Sequence, residues 1–481
     1  MSGDHLTWTE TLFRPLADLL AGFVFFPLPI AGSDAPVVVL WLVAGAVYFT
    51  FRFRFISFWG LRHGFDLVTG RAGTPEGSGQ LTHFQALATA VSGTVGVGNI
   101  GGVAVAISVG GPGAALWMLV AGFLGMSTKF VECSLGVIYR EEHPGGIVSG
   151  GPMYYLNKGL TERGWPRLGR ALGSFYALGI VLGCLGIGNM FQSNQAFVQI
   201  VGITGGETSW FADKGWLIGS GLALLVGAVI IGGIRSIARV TARLVPFMAV
   251  LYLAGSILVI ALNAEALPWA FARILDQAFG AEAMGGGLLG ALIVGFQRAA
   301  FSNEAGIGSA TIAHAAVQTS EPMTEGFVSL LEPFIDTVII CSATALVIIT
   351  TSYYEPGFAE GLGGIEMTSH AFERNLAWSP PLLALAATLF ALSTMVSWSY
   401  YGLKGWTYLF GENVRTANIF KFVFCAFVIL GCTIQLEAVL DFSDALVFLI
   451  CVPNILGLYL LTPVVKRELD GYLERLRQRE Q

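Results

Sequence analysis

Charge is what this chain has least of. Charged side chains are 12% of its 481 residues, about half of the roughly 25% usual in soluble proteins, which excludes an ordinary water-soluble fold. Disulfide and metal frameworks are absent as well: the six cysteines (Cys133, Cys184, Cys341, Cys425, Cys432, Cys451) all fall in apolar stretches and read as small buried hydrophobes. His63, His83 and His314 are scattered without metal-ligand spacing. No Walker A sequence occurs, which argues against ATP-driven work by this chain alone. The start, with Asp4, His5 and Glu10, does not read as a signal peptide. No nucleophile-and-base constellation falls within an apolar span, which argues against a membrane-embedded enzyme. The net charge of -6 argues against a nucleic-acid surface.

What is present is apolar residues, 54% of the chain, and 62 glycines, a composition that suits close-packed and interrupted membrane helices. A span needs about 20 apolar residues. Hydropathy predicts an all-α polytopic membrane protein with eleven spans, near 36–53, 83–109, 112–138, 172–202, 215–234, 240–262, 285–316, 331–352, 381–410, 417–436 and 442–464. Segment 6–28, interrupted by Arg14 and Asp18, reads as an interfacial helix. Loops on one side carry twenty Lys and Arg against four on the other. By the positive-inside rule the basic side, with the C-terminus, is cytoplasmic and the N-terminus lies outside, as expected of an inner-membrane protein.

The second and seventh spans are rich in glycine and polar residues: SGTVGVGNIGGVAVAISVGG from Ser92 and GFQRAAFSNEAGIGSAT from Gly295. Two interrupted helices at corresponding positions five spans apart predict a 5+5 inverted repeat with a midplane binding site. The expected divisions are an N-terminal segment 1–35, a first helix and loop 36–80, repeat one 81–262, repeat two 263–465 and a tail 466–481. A helix unwinds inside a bilayer only where it lines a cavity or meets a ligand. Gly93, Gly96 and Gly98 permit this, and a half-helix beginning near Asn99 would aim its positive end at a carboxylate. The G-x-G-x-x-G formed by Gly96, Gly98 and Gly101 lacks the strand a dinucleotide site needs.

In the seventh span Ser302, Asn303 and Glu304 adjoin Arg298. Asn303 reads as a substrate contact. Glu304 reads as a gating or proton site, with capping of the half-helix or pairing with Arg298 as the structural alternative. Asn189 and Gln192, three apart, share a helical face, and Gln192 is the preferred polar contact. Thr394 and Trp398 face one way with Ser393 and Ser397 beside them, and hydroxyls with carbonyls are the oxygen ligands an alkali cation takes. Lys129 and Glu132 read as an ion pair within the third span, and Glu332 and Asp336 as helix-start or gate residues.

GTVGVGNIGG, GGPGAALWMLVAGFLGMSTKFVE, GGPMYY at 150–155, FQRAAFSNEAGIGSA and FALSTMVSWSYYG closely resemble the alanine or glycine:cation symporter family, in order and over nearly the whole chain. The resemblance implies the amino acid-polyamine-cation superfamily fold, the inverted repeat of the leucine-transporter type. It implies alanine or glycine as substrate, with sodium as the coupling ion. Substrate would meet Thr94, Gly96, Asn99, Gln192, Ser302, Asn303, Thr394 and Trp398; sodium would meet carbonyls around Gly93 to Gly96 and the hydroxyls of Ser393 and Thr394. Val97 departs from the family, which often has a smaller residue or Thr there. Proton coupling through Glu304 and a channel remain as rival readings, and the sequence leaves oligomeric state open.

Overall fold

The computed structural model describes residues 8–479 apart from 31–32, 73–76, 144–145, 281–286, 352–363 and 435. Helices lie over every expected span. Among the described residues, seven are long and apolar enough to cross a bilayer, or nine when two bent pairs each count as one span. Gly215–Ile230 and Gly287–Asn303 are shorter apolar helices. Strand among the described residues is confined to two hairpins, Pro27–Ile30 with Ser33–Pro36 and Glu141–His143 with Ile147–Ser149, and to an isolated bridge between Leu81 and Val317.

Burial sorts the helices. Ser379–Phe410 is 72% buried over its apolar window and Val414–Gly431 only 22%, so the first stands at the centre of the bundle and the second on its rim. Small residues bring the central helix close to its neighbours, as membrane packing requires. A Cβ at Gly402 would stand 2.2 Å from Cys184 Sγ, and one at Gly405 would stand 2.5 Å from Ile180. Both contacts press the helix onto Pro166–Leu185.

Helices outside the expected spans include Pro152–Glu162, Leu267–Phe279 and Ile365–Asn375, with the shorter Leu61–Val68 and Pro322–Ser329. Each has at most 13 residues, too short for a span by itself, and hydropathy over 20 residues passes over them. The N-terminal segment forms the helix Trp8–Val24. Phe25, just beyond it, meets Phe448 edge-on at 5.2 Å.

Two helices break where the glycine-rich sequences fall. His83–Thr94 begins on a capping box of Thr82 and Gln85 and bends 58° into the helix that ends at Gly110. Gly287–Asn303 stops at Glu304, whose φ of 57° is left-handed, a conformation that non-glycine residues rarely adopt. Gly306 and Gly308, at φ 93° and 86°, carry the turn, and helix resumes at Thr311–His314. Two further irregularities flank these breaks: π-turns at Gly186–Met190 and Phe334–Cys341, a distortion common at functional sites.

Candidate functional site

The first break is held by side chains from four directions. Gly96 N donates to Asn99 Oδ1 at 2.9 Å, and Val97 N donates to Gln192 Oε1 at 3.1 Å. Gln192 Nε2 in turn donates to Ile187 O in the π-turn at 3.1 Å. These bonds satisfy backbone amides that the broken helix leaves unpaired, which lipid could not do. Thr394 Oγ1 donates to Ser92 O at 3.0 Å, and Ser92 Oγ donates to Ser393 O at 2.7 Å, so the central helix and the break are stitched together twice. The space is tight: a Cβ on Gly96 would lie 2.6 Å from Thr394 Oγ1 and 3.0 Å from Gln192 Oε1.

Asp336, in the second π-turn, joins both breaks. Its Oδ1 accepts from Asn99 Nδ2 at 2.5 Å, and its Oδ2 accepts from Ser302 Oγ at 2.9 Å and Thr337 Oγ1 at 2.7 Å. All four residues are buried. A buried carboxylate with several donors is a strong tie, because charge-assisted bonds are about twice as strong as neutral ones. Asp336 therefore lies between the two breaks, inside a span that runs from Pro322 to Thr351, so of the two sequence readings, helix start or gate, the helix start does not hold.

The second break meets the central helix through one indole. Trp398 Nε1 donates to Glu304 Oε1 at 2.9 Å and lies 3.2 Å from Gly93 O. Trp398 fits because Gly188 has no side chain: a Cβ there would fall 2.2 Å from the indole. Glu304 also accepts from Ser309 Oγ across its own turn. Asn454 Nδ2 donates to Gly306 O at 2.8 Å and to Glu132 Oε1 at 2.6 Å, and Tyr176 OH donates to Ile307 O at 2.9 Å.

The structure thus brings Gly93, Gly96, Asn99, Gln192, Ser302, Thr394, Trp398 and Glu304 into one buried network. Three expected site residues stand differently. Asn303 faces the back of its break, with Nδ2 donating to Thr337 Oγ1 at 2.9 Å and Oδ1 accepting from Ala305 N at 3.0 Å. Its neighbourhood there is a cavity of about 20 Å³ shared with Thr128, Gly125 and Leu42. Ser393 Oγ turns to Phe390 O and Met248, and Thr94 Oγ1 turns to Ala90 O and Val91 O of its own helix.

The pairings inferred from sequence spacing are corrected. Lys129 Nζ pairs with Glu332 Oε1 at 2.9 Å, not with Glu132. Arg298 pairs with Asp444, not with Glu304, and lies over the Phe301 ring. Asn189 Nδ2 turns to Phe424 O at 2.7 Å, away from Gln192. Asn454 and Ser92 escaped the sequence reading, since neither lies in a conspicuous polar cluster apart from the glycine run that contains Ser92.

Two broken helices, tied at their breaks and satisfied by buried amides, hydroxyls and one carboxylate, define the site class of a secondary transporter. The fold agrees: the chain superposes on the crystal structure of MhsT in complex with L-phenylalanine with a TM-score of 0.56, at 14% identity, covering 82% of this chain and 99% of that one. The chain belongs to the sodium:alanine symporter family, whose pattern it matches over residues 30–481. It is 36% identical over 441 residues to the sodium/alanine symporter AgcS of Methanococcus maripaludis, covering 91% of this chain and 94% of the relative. It is 31% identical over 439 residues to the probable sodium/glutamine symporter GlnT of Bacillus subtilis, covering 91% and 87%. It is accordingly a multi-pass membrane protein for secondary amino-acid transport, and not an enzyme.

Proposed function

We propose that this chain imports alanine or glycine together with sodium by alternating access. The observation that carries the reading is the crowding at Gly96, where Thr394 Oγ1 and Gln192 Oε1 leave no space for even one added methyl. Thr394 and Gln192 thus close in on the backbone of the first break, and a substrate bound beside it would have to carry a small side chain, a methyl or a hydrogen. Relatives named for alanine and for glutamine support amino-acid cargo in general; the small size rests on this geometry.

Sodium is assigned to Ser92 O, Gly93 O and Thr394 Oγ1, hard oxygens of the kind an alkali ion takes. They replace the hydroxyl of Ser393, which faces Met248. The substrate is assigned to Gly96, Gln192, Thr394 and the donors around Ser302, with Asn99 and Trp398 holding the breaks in shape. The repeats 81–262 and 263–465 carry one broken helix each. The end of the bundle bearing Arg140 and Arg475 is placed in the cytoplasm, and the N-terminus outside an inner membrane.

Alternating access needs a closure at each end. Arg298 with Asp444 supplies one. At the other end Arg140 donates to Val317 O at 2.8 Å, Ser78 O at 2.9 Å and Thr319 O at 2.8 Å, pinning the chain beyond the second break. The test is uptake of labelled alanine and glycine into liposomes holding the purified protein, with a competition panel of larger amino acids. Uptake that needs a sodium gradient and is competed only by small neutral amino acids is expected. Equal accumulation with the sodium gradient abolished and a proton gradient kept would overturn sodium coupling.

A further inference from the structure

Beneath the second break lies a line of buried titratable groups that the transport site does not use. His83 Nδ1 bonds to Glu325 Oε1. Glu325 Oε2 is 2.5 Å from His314 Nδ1. The other ring nitrogen of His314 faces Glu332 Oε2 at 3.8 Å, and Glu332 Oε1 holds Lys129 Nζ at 2.9 Å. His83, at the start of the first broken helix, is 5% exposed, and the other four are buried completely. The line starts at the Arg140 end of the bundle and runs inward to Lys129, which interacts electrostatically with Glu132 and Glu304 as well as with Glu332.

Two features mark this as more than a packed ion cluster. The acids facing one another here, Glu132, Glu304, Glu325, Glu332 and Asp336, still outnumber the cations Lys129, His83, His314 and Arg140 by one with both imidazoles charged. An uncompensated buried carboxylate is too costly to stand and is neutralised by taking up a proton. The second feature is the open link. His314 Nε2 and Glu332 Oε2 face each other without a hydrogen-bond partner among the described residues, and 3.8 Å is just too long for a bond. Tyr401 from the central helix and Cys133 also face this cluster, and Arg140 lies near Glu325.

We infer that this line is a proton relay from the Arg140 end of the bundle to Glu332, with the His314–Glu332 gap as its switch. A proton taken from water at His83 displaces one from its Nδ1 to Glu325 Oε1. Glu325 passes one from Oε2 to His314 Nδ1. His314 delivers one from Nε2 to Glu332 Oε2 when the gap closes, so that one proton enters and one reaches Glu332. Protonated Glu332 no longer neutralises Lys129, whose ammonium then turns to Glu132 and Glu304. Glu304 holds the second break through Trp398 and Ser309, so the proton count at Glu332 sets the shape of that break. The relay rests on the symport reading only for its readout.

The test uses full-length protein in liposomes, with sodium-driven alanine uptake measured while pH is varied on one face only. Wild type is expected to change rate by about tenfold between about pH 5.5 and about pH 8 on the face bearing Arg140. His314→Gln, which keeps a side-chain amide beside Glu325, should flatten that response to within about twofold while still transporting at neutral pH. A flat wild-type profile with uptake intact overturns the relay and leaves sodium symport standing. If His314→Gln fails to fold, or if no uptake is found, nitrogen NMR of the His314 ring in the wild type decides. Exchange between protonation states over the same pH range supports the relay, and one unchanging tautomer overturns it.

Discussion

The Asn99 amide nitrogen stands 2.5 Å from Asp336 Oδ1, and the same asparagine accepts the Gly96 amide through its oxygen. One side chain thereby shapes the first break and anchors it to the carboxylate that also binds Ser302 of the second. Replacing Asp336→Asn turns one acceptor into a donor opposite Asn99, Ser302 or Thr337. Leaving such a group mispaired in a buried site costs about 1–3 kcal/mol. Alanine uptake is expected to fall by about tenfold or more, and thermal unfolding should shift down. Unchanged uptake would show that the two breaks do not depend on this tie.

Trp398→Phe keeps a smaller aromatic ring against Gly188 and removes the nitrogen that bonds Glu304 and Gly93 O. The Glu304 carboxylate keeps Ser309 but loses its tie to the central helix. Hydrogen bonds to charged groups are worth about 1.5–3 kcal/mol, so transport should slow by about tenfold with the protein still folded. Initial uptake rates against thermal melting separate a transport defect from a folding defect.

Two glycines of the first broken helix should respond oppositely to alanine. Gly96→Ala forces a methyl to 2.6 Å from Thr394 Oγ1, whereas a Cβ at Gly102 meets nothing within 4 Å. Gly96→Ala is expected to abolish uptake. Gly102→Ala should leave uptake within about twofold and stabilise the helix by up to about 1 kcal/mol, the propensity difference between the two residues. Similar losses in both variants would place the crowding elsewhere.

A pH-dependent contribution to stability is expected outside the spans at Glu412. Burial alone would raise its carboxyl, but Lys404 Nζ at 2.9 Å and Ser149 Oγ at 2.8 Å together hold it below the ordinary value of 4.5. A group with a depressed pKa in the folded state contributes stability above its unfolded pKa and loses it as pH falls through the folded one. The difference in melting temperature between wild type and Glu412→Gln should therefore be constant above about pH 6 and shrink below about pH 4.5. Glu412 is partly exposed, so the pair is worth at most about 1 kcal/mol.

Hydropathy and glycine runs were enough to locate the long apolar helices and both breaks, though not the short helices between them, because a bilayer imposes a length and a composition on every element that crosses it. Ser302, Gln192 and Thr394 were legible for the same reason: a polar side chain deep in an apolar span is conspicuous. The partners of those residues were not legible. Spacing suggested Lys129 with Glu132 and Arg298 with Glu304, neighbours on one helix. The structure chose Glu332 and Asp444, 203 and 146 positions away. Asp336 looked like a helix-start residue because its sequence neighbours are Pro333 and Glu332; it became the centre of the site only when the first break folded against it. The helices were determined locally, by what water and lipid each tolerate. Which buried charge answers which was decided by packing, since an ion removed from water takes the nearest available partner in space, wherever that partner lies in the chain.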